Sequence, residues 1–395
     1  MQFIKDTLTS DKIQDNVFTI AAKANADTEP NKINSTLGSL FDEDTKLVAF
    51  DTFYNIYNNL DNRIKAKYAE SFTGNKAFIE ASIKHVLEDK IKLPHKALAT
   101  SGGTGAVSMT LKNTLNPNDT VLLPSIGWTS YRLMAKEYSL KIEDYNIFDI
   151  DDIIAKTSSL ATKQNKILIV INSPCHNPTG ISYSKEDFDK LVNHFNSLSV
   201  PVIILNDIAY IDYSNDLAHS RDYLEAFNNI NDNILVIIAF SLSKTMTSYG
   251  LRVGSIIFIT NKEETLIPVY NTFEKTCRVL WSNINNAAMV AFAEVINHHK
   301  DEFDREKAQY IKLITERAQI FTDEAKAINL EHYPYQEGFF ITLKFDDNTK
   351  RDDIHTKLMD NHIYTVKVEN GIRISLCGIP KSKIKGLASR IKAVY

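Results

Sequence analysis

At 395 residues, 44% hydrophobic and 24% charged, the chain has an ordinary globular composition and enough length for a large domain plus a smaller one. A net charge of −4 gives no general pull toward nucleic acid or anionic lipid, and the apolar runs are too short to span a bilayer. Three widely spaced cysteines, Cys175, Cys277 and Cys377, argue against a disulfide framework and for a reducing, cytoplasmic setting.

The N-terminal stretch, MQFIKDTLTSDKIQDN, is broken by charges and has no h-region, so no signal peptide is expected. The first 45 residues are polar and make no core of their own; they are expected to pack with the C-terminal part. From there, short apolar runs alternate with helix-period segments. The runs KALAT (96–100), TVLLP (120–124), KILIVI (166–171), PVIIL (201–205), NILVIIAF (233–240) and GSIIFIT (254–260) predict strands. Helices are predicted over 75–91, 105–115 and 184–198. Continuous β-branched runs alternating with helices indicate a mostly parallel sheet covered on both faces, an α/β class. The pattern changes near residue 285. One long helical tract is expected first, then strands in GFFITLKF (338–345) and IYTVKVENGIRISLC (363–377), with ENG as a turn, then a helix over roughly 382–395. The expected division is an N-terminal segment 1–45, a large α/β domain 46–284 and a small α+β domain 285–395.

In open α/β sheets ligands bind at the carboxyl ends of the strands, and four of these ends are polar. KALAT runs into SGGTGAV (101–107), KILIVI into NSPCHNPTG (172–180), PVIIL into NDIAY (206–210) and ILVIIAF into SLSK (241–244). Gly102, Gly103 and Gly105 ahead of a helix suit close approach of an anion, or simply a tight turn. A dinucleotide fingerprint is disfavoured, because the next strand ends TVLLPSIGW with no acidic residue. Asp207 is either a helix N-cap or a functional carboxylate. HNPTG by itself is a loop, with Ser173–Pro174 and Asn177–Pro178 both open to a cis bond. No CxxC, HExxH or P-loop pattern occurs, so no metal is expected.

Most loop lysines are solvated. Lys244 differs in following a buried strand, between Ser241, Ser243 and Arg252. A desolvated lysine near another cation has a lowered pKa and becomes a nucleophilic amine, the precondition for a Schiff base.

With these residues in hand, the chain resembles the class I/II aminotransferases, pyridoxal 5′-phosphate (PLP) enzymes of fold type I, and within them the aspartate and aromatic amino-acid branch. SLSKTMTSYGLRVG matches the family signature S-x-S-K…R-x-G, and HNPTG and GGTGA match two further motifs. The resemblance covers nearly the whole chain. It implies a large domain with a mostly parallel seven-stranded sheet and a smaller α+β domain. It implies that Lys244 forms the aldimine with PLP and then serves as base and acid, that Asp207 pairs with the ring nitrogen, and that Asn177 and Tyr210 hydrogen-bond the ring 3′-oxygen. Gly103, Thr104, Ser241, Ser243 and Arg252 would hold the phosphate, and Trp128 would stack on the ring, the alternative being a core tryptophan.

Arg373, a charge inside an alternating apolar strand, would grip the substrate α-carboxylate, with the backbone of Gly38 closing the other side. Two residues would act across a homodimer. Tyr68 would reach the neighbouring phosphate, or is a surface tyrosine. Arg278 would bind the distal carboxylate of an acidic substrate, or is a helix-surface arginine. The implied reaction is a ping-pong transfer of an amino group between an L-amino acid, aspartate, glutamate or aromatic, and a 2-oxo acid. The alternatives on the same fold are a C–S β-lyase, a decarboxylase, or a non-catalytic PLP-binding sensor domain.

Overall fold

The structure, a computed structural model, describes residues 16–395. The charge-broken stretch read as lacking a signal peptide lies almost wholly outside the described residues.

Seven strands form the main sheet: β2 His95–Thr100, β3 Thr120–Pro124, β4 Lys141–Tyr145, β5 Ile167–Asn172, β6 Val202–Asp207, β7 Ile234–Ser241 and β8 Gly254–Thr260, after a short β1, Ile33–Asn34. Their order is β2-β8-β7-β6-β5-β3-β4, parallel except for β8, which runs against both its neighbours. The alternation within β5 shows why the runs are uninterrupted. Ile167, Ile169 and Ile171 enter one apolar core while Leu168 and Val170 enter another, so both faces are buried. The chain is therefore α/β with a mostly parallel seven-stranded sheet.

β4 has no counterpart among the predicted strands. Its sequence, KIEDY, carries three charges and only one fully buried side chain, because it is the sheet edge next to β3. The long helical tract is also corrected: it is two helices, Asn286–His298 and Lys300–Ala327, interrupted at His299, whose backbone leaves the helical region (φ −129°, ψ 19°). The terminal helix likewise divides into Lys381–Ile384 and Leu387–Lys392, with Gly386 between them at φ +81°.

A second sheet joins β9 Phe340–Lys344, β11 Val366–Val368 and β12 Gly371–Ser375 in the order β11-β12-β9, all antiparallel, after a two-residue strand β10 Ile363–Tyr364. The ENG turn connects β11 to β12, with Val368 opposite Gly371 and Asn370 at φ +49°. β1 pairs in parallel with β10. Arg317, fully buried on the helix Lys300–Ala327, donates to the Glu43 carboxylate and to the carbonyls of Phe41, Asp42 and Cys377.

Beneath the β6 and β7 ends lies a closed charge cluster. Asp212 accepts from Arg221 at 2.7 Å, Lys307 at 3.2 Å and Thr245 Oγ1 at 2.6 Å, and contacts His85 Nε2 at 3.0 Å. Burial alone would raise the Asp212 carboxyl, but His85, Lys307 and Arg221 hold it well below the usual carboxylate range. Because Thr245 follows Lys244, and Tyr213 donates to the Lys244 carbonyl at 3.0 Å, the cluster holds the backbone of the strand-end lysine. Removing the carboxylate would leave Arg221 and Lys307 buried with only the more distant Glu88, at 3.7 Å, and Asp304, at 3.5 Å, as acidic partners. Asp212→Ala is therefore expected to lose about 3–5 kcal/mol of stability, measured by urea denaturation at neutral pH; a loss below about 1 kcal/mol would show that the cluster is not a paired charge system.

Candidate active site

The register of the main sheet sets the site. Asn172 is opposite Asp207 and Asp207 opposite Ala239, so the β5 and β6 ends present an amide and a carboxylate together. Gly254, at the start of β8, is opposite both Thr100 and Ser241. That brings the turn Ser101–Gly102, the Ser241–Lys244 segment and Arg252 into one corner.

Gly102 opens the helix Gly102–Thr114 at φ +67°, and a Cβ there would lie 2.6 Å from Arg252 Nη2. Glycine is required by both the backbone and the guanidinium. Arg252 Nη1 donates to Ser243 Oγ and to the Tyr249 carbonyl, each at 2.9 Å. The corner thus combines a guanidinium, the hydroxyls of Ser241 and Ser243, and a helix N-terminus carrying Gly103 and Thr104. This donor set suits a phosphate.

Lys244 Nζ donates to the Gly38 carbonyl at 2.9 Å and lies over the rings of Tyr249 and Tyr210, at 4.7 and 5.4 Å from their centroids. Burial lowers its pKa, and Arg373 and Arg252 push the same way, to about 8. Asp207 faces the same space, with Oδ2 accepting from Tyr131 Oη at 2.5 Å and Oδ1 from the Ala209 amide at 3.1 Å. Burial raises the Asp207 carboxyl, while these two donors favour its charged form.

On β12, Arg373 donates to Asn177 Oδ1 at 3.1 Å and the Thr36 carbonyl at 2.6 Å, its guanidinium over the Phe340 ring at 4.4 Å. Asn177 is itself fixed, its amide N–H donating to Asn172 Oδ1 at 2.8 Å. Both Ser173–Pro174 and Asn177–Pro178 are cis. Tyr210 is buried, and its phenol is raised by that burial.

These side chains line one cavity of about 480 Å³, with Trp128, Gly103, Thr104 and Gly38 in its wall. Of the residues singled out in the sequence, Tyr68 and Arg278 stand apart from it, and Gly102 and Gly105 are not in its lining. Tyr68 is 80% exposed, and Arg278 is exposed on the helix Glu263–Leu280, donating to Ser282 Oγ at 2.6 Å. Among the lining residues that escaped the sequence reading are Tyr131, Tyr249 and Phe340. Tyr131 was detectable as the position one helical turn after Trp128, and Tyr249 lies inside the SLSKTMTSYGLRVG segment itself. Phe340 had no local signal, since its approach to the site depends on the second sheet.

The donors fit a ligand that carries a phosphate, a ring with a basic nitrogen and a group able to react with an amine. A low-pKa amine, a buried carboxylate, a corner of anion-suited donors and the Arg373 guanidinium share one cavity.

Comparison with known proteins points the same way. The profile of the family described as "Aminotransferase class I and II" matches residues 58–391. The aspartate aminotransferase of Pseudomonas aeruginosa is 23% identical over 288 residues, covering 69% of this chain and 70% of that protein. The mitochondrial aspartate aminotransferase of Dictyostelium discoideum is 22% identical over 409 residues, covering 96% and 91%. Among solved structures, an aminotransferase from Anaerococcus prevotii superposes with a TM-score of 0.94 at 28% identity, covering 99% of this chain and 98% of that one. The aromatic-amino-acid aminotransferase from Burkholderia pseudomallei, covalently bound to pyridoxal phosphate, shares the fold with a TM-score of 0.81 at 21% identity and full coverage of both chains.

The lowered pKa of Lys244 has a direct consequence. Below about pH 8 the amine is mostly protonated and unreactive; above it the free amine predominates. Labelling of the cofactor-free protein with trinitrobenzenesulfonate, followed by peptide mapping, should give Lys244 a reactivity midpoint near pH 8. A midpoint in the ordinary lysine range would show that the amine is not desolvated.

Proposed function

Because the chain belongs to the class I and II aminotransferases, we propose that it moves an amino group between an L-amino acid and a 2-oxo acid, using pyridoxal 5′-phosphate held by Lys244, Asp207 and the Arg252 corner. The observation that carries this is the convergence of a desolvated amine, a buried carboxylate outside any salt bridge and a phosphate-suited donor corner on one cavity. PLP supplies a carbonyl that takes up the amino group and a ring that withdraws electrons from the substrate Cα.

The chain's own residues do the rest. Gly103, Thr104, Ser241, Ser243 and Arg252 would bind the phosphate. Asp207 would serve the ring nitrogen, Asn177 and Tyr210 the ring 3′-oxygen, and Trp128 would stack on the ring. Arg373, with the backbone at Gly38, orients the substrate by its α-carboxylate. The Lys244 amine, its pKa lowered to about 8, would take up and return the proton at the substrate Cα. A lyase or decarboxylase needs no second oxo acid. The relatives whose names state an activity on aspartate are all transaminases, which favours transfer.

We further propose a division into a large domain, 46–284, and a small one, 285–395, with 1–45 packing on the latter. The β1–β10 pairing and the Arg317 contacts to residues 41–43 support it. A homodimer is proposed on an exposed apolar patch. Val279 and Tyr68 are 75% and 80% exposed, in segments joined by the Ala69 amide donating to Asn283 Oδ1 at 2.8 Å. In such a dimer Tyr68 reaches the partner's phosphate and Arg278 the distal end of the partner's substrate. Aspartate, glutamate and aromatic amino acids are the proposed donors. Three buried free cysteines support a cytoplasmic placement, and no helix among the described residues is long and apolar enough to cross a membrane.

The function is tested by the absorbance of the purified protein with PLP, before and after separate additions of aspartate, glutamate, tyrosine, phenylalanine and alanine. A visible band that collapses with some of them is expected; no band after adding PLP would overturn the cofactor, and an unresponsive band the transamination. Lys244→Ala should lower turnover by at least about 100-fold while PLP still binds, and wild-type turnover would remove the lysine from its role. Arg278→Ala should cut kcat/KM for glutamate by about 30-fold or more and leave tyrosine nearly unchanged. Equal losses for both substrates would take Arg278 out of specificity.

A further inference from the structure

The helix Thr129–Glu137 begins directly after the Trp128 wall of the cavity. Its first turn closes with the Tyr131 amide donating to the Trp128 carbonyl at 3.0 Å, and the two rings meet edge to face at 5.3 Å and 85°. One helical turn therefore presents the indole to the cavity and carries the Tyr131 hydroxyl to within 2.5 Å of Asp207 Oδ2. Tyr131 is 1% exposed and is the only side-chain donor to the Asp207 carboxylate among the described residues.

We infer that Tyr131 is the positioning residue that keeps Asp207 charged and turned toward the cofactor ring nitrogen; the inference rests on the role proposed above for Asp207. Asp207 makes no salt bridge among the described residues, in contrast to Asp212, which meets Arg221 and Lys307. A buried carboxylate with no cation in contact stays ionised mainly through donated hydrogen bonds, the charge of Lys244 adding a smaller push in the same direction. Two reach it. The Ala209 amide comes from its own turn, and the Tyr131 phenol from a separate element, so only the phenol sets the carboxylate plane from outside β6. Burial and the adjacent carboxylate both raise the phenol well above its ordinary range, so it remains a donor throughout the working pH range. Without it, Asp207 retains one donor, takes up a proton, and no longer favours a protonated ring.

The test is a four-protein cycle of wild type, Tyr131→Phe, Asp207→Asn and the double variant, each titrated as cofactor-free protein with PLP. Tyr131→Phe should weaken PLP binding by about 10- to 100-fold. In the Asp207→Asn background the same change should cost less than about twofold, because Tyr131 acts through the carboxylate. The second readout is ¹⁵N NMR of protein loaded with ring-¹⁵N PLP. The wild-type signal should lie at the protonated position and move toward the unprotonated one in Tyr131→Phe, which a merely structural tyrosine would not cause. Unchanged affinity and signal in Tyr131→Phe, or an equal loss in both backgrounds, overturns the inference. A wild-type protein that takes up no PLP overturns the cofactor reading instead, and this inference with it. If Tyr131→Phe does not fold, proton NMR of the wild-type holoenzyme decides. A far-downfield hydroxyl proton that is absent from Asp207→Asn is expected, and a spectrum without one overturns the inference.

Discussion

The close approach of three backbones at Gly254 underlies the whole site. A Cβ at this position would lie 2.5 Å from the Phe240 carbonyl oxygen and 2.7 Å from the Gly102 carbonyl carbon. Only without one can the antiparallel strand β8 start level with the ends of β2 and β7. That register sets Ser241, the Gly102 turn and Arg252 in one corner, and it places Lys244 one turn further on. A shift of a single residue would send every alternating side chain of β8 to the opposite face and dissolve the corner.

Electrostatics then separates two carboxylates that lie five positions apart in one loop. Asp212 is saturated by Arg221, Lys307, His85 and Thr245, and serves the frame that holds the Lys244 backbone. Asp207 has no such cation; it is held by a phenol and an amide and opens on the cavity. A buried charge left incomplete by the protein is a place prepared for a charge from outside. The same logic applies to the amine. Burial lowers the Lys244 pKa and the charges of Arg373 and Arg252 push the same way, so the cations proposed to grip the ligand's anionic ends also favour the free amine.

Legibility followed burial. The strands buried on both faces were plain as continuous apolar runs, since nothing polar is tolerated there. The edge strand β4 was not, because one side of it meets solvent and its charges read as loop. The breaks at His299 and at Lys385–Gly386 were invisible to periodicity, which continues across an interruption of one or two residues as if the helix were whole. Tyr131 was passed over because a tyrosine in an amphipathic helix has an ordinary core explanation, and only its 2.5 Å contact with Asp207 distinguishes it.

From the sequence alone came the α/β class, the polar strand ends and the family signature around Lys244. These are local, and each depends on residues within about a dozen positions of one another. The tertiary structure decided which strand ends meet, that Asp207 rests on Tyr131 while Asp212 is enclosed, and that Tyr68 and Arg278 lie on the surface rather than in the cavity of their own chain. Those outcomes depend on strand order and register, on contacts between segments some 70 to 200 residues apart, and no local pattern encodes them.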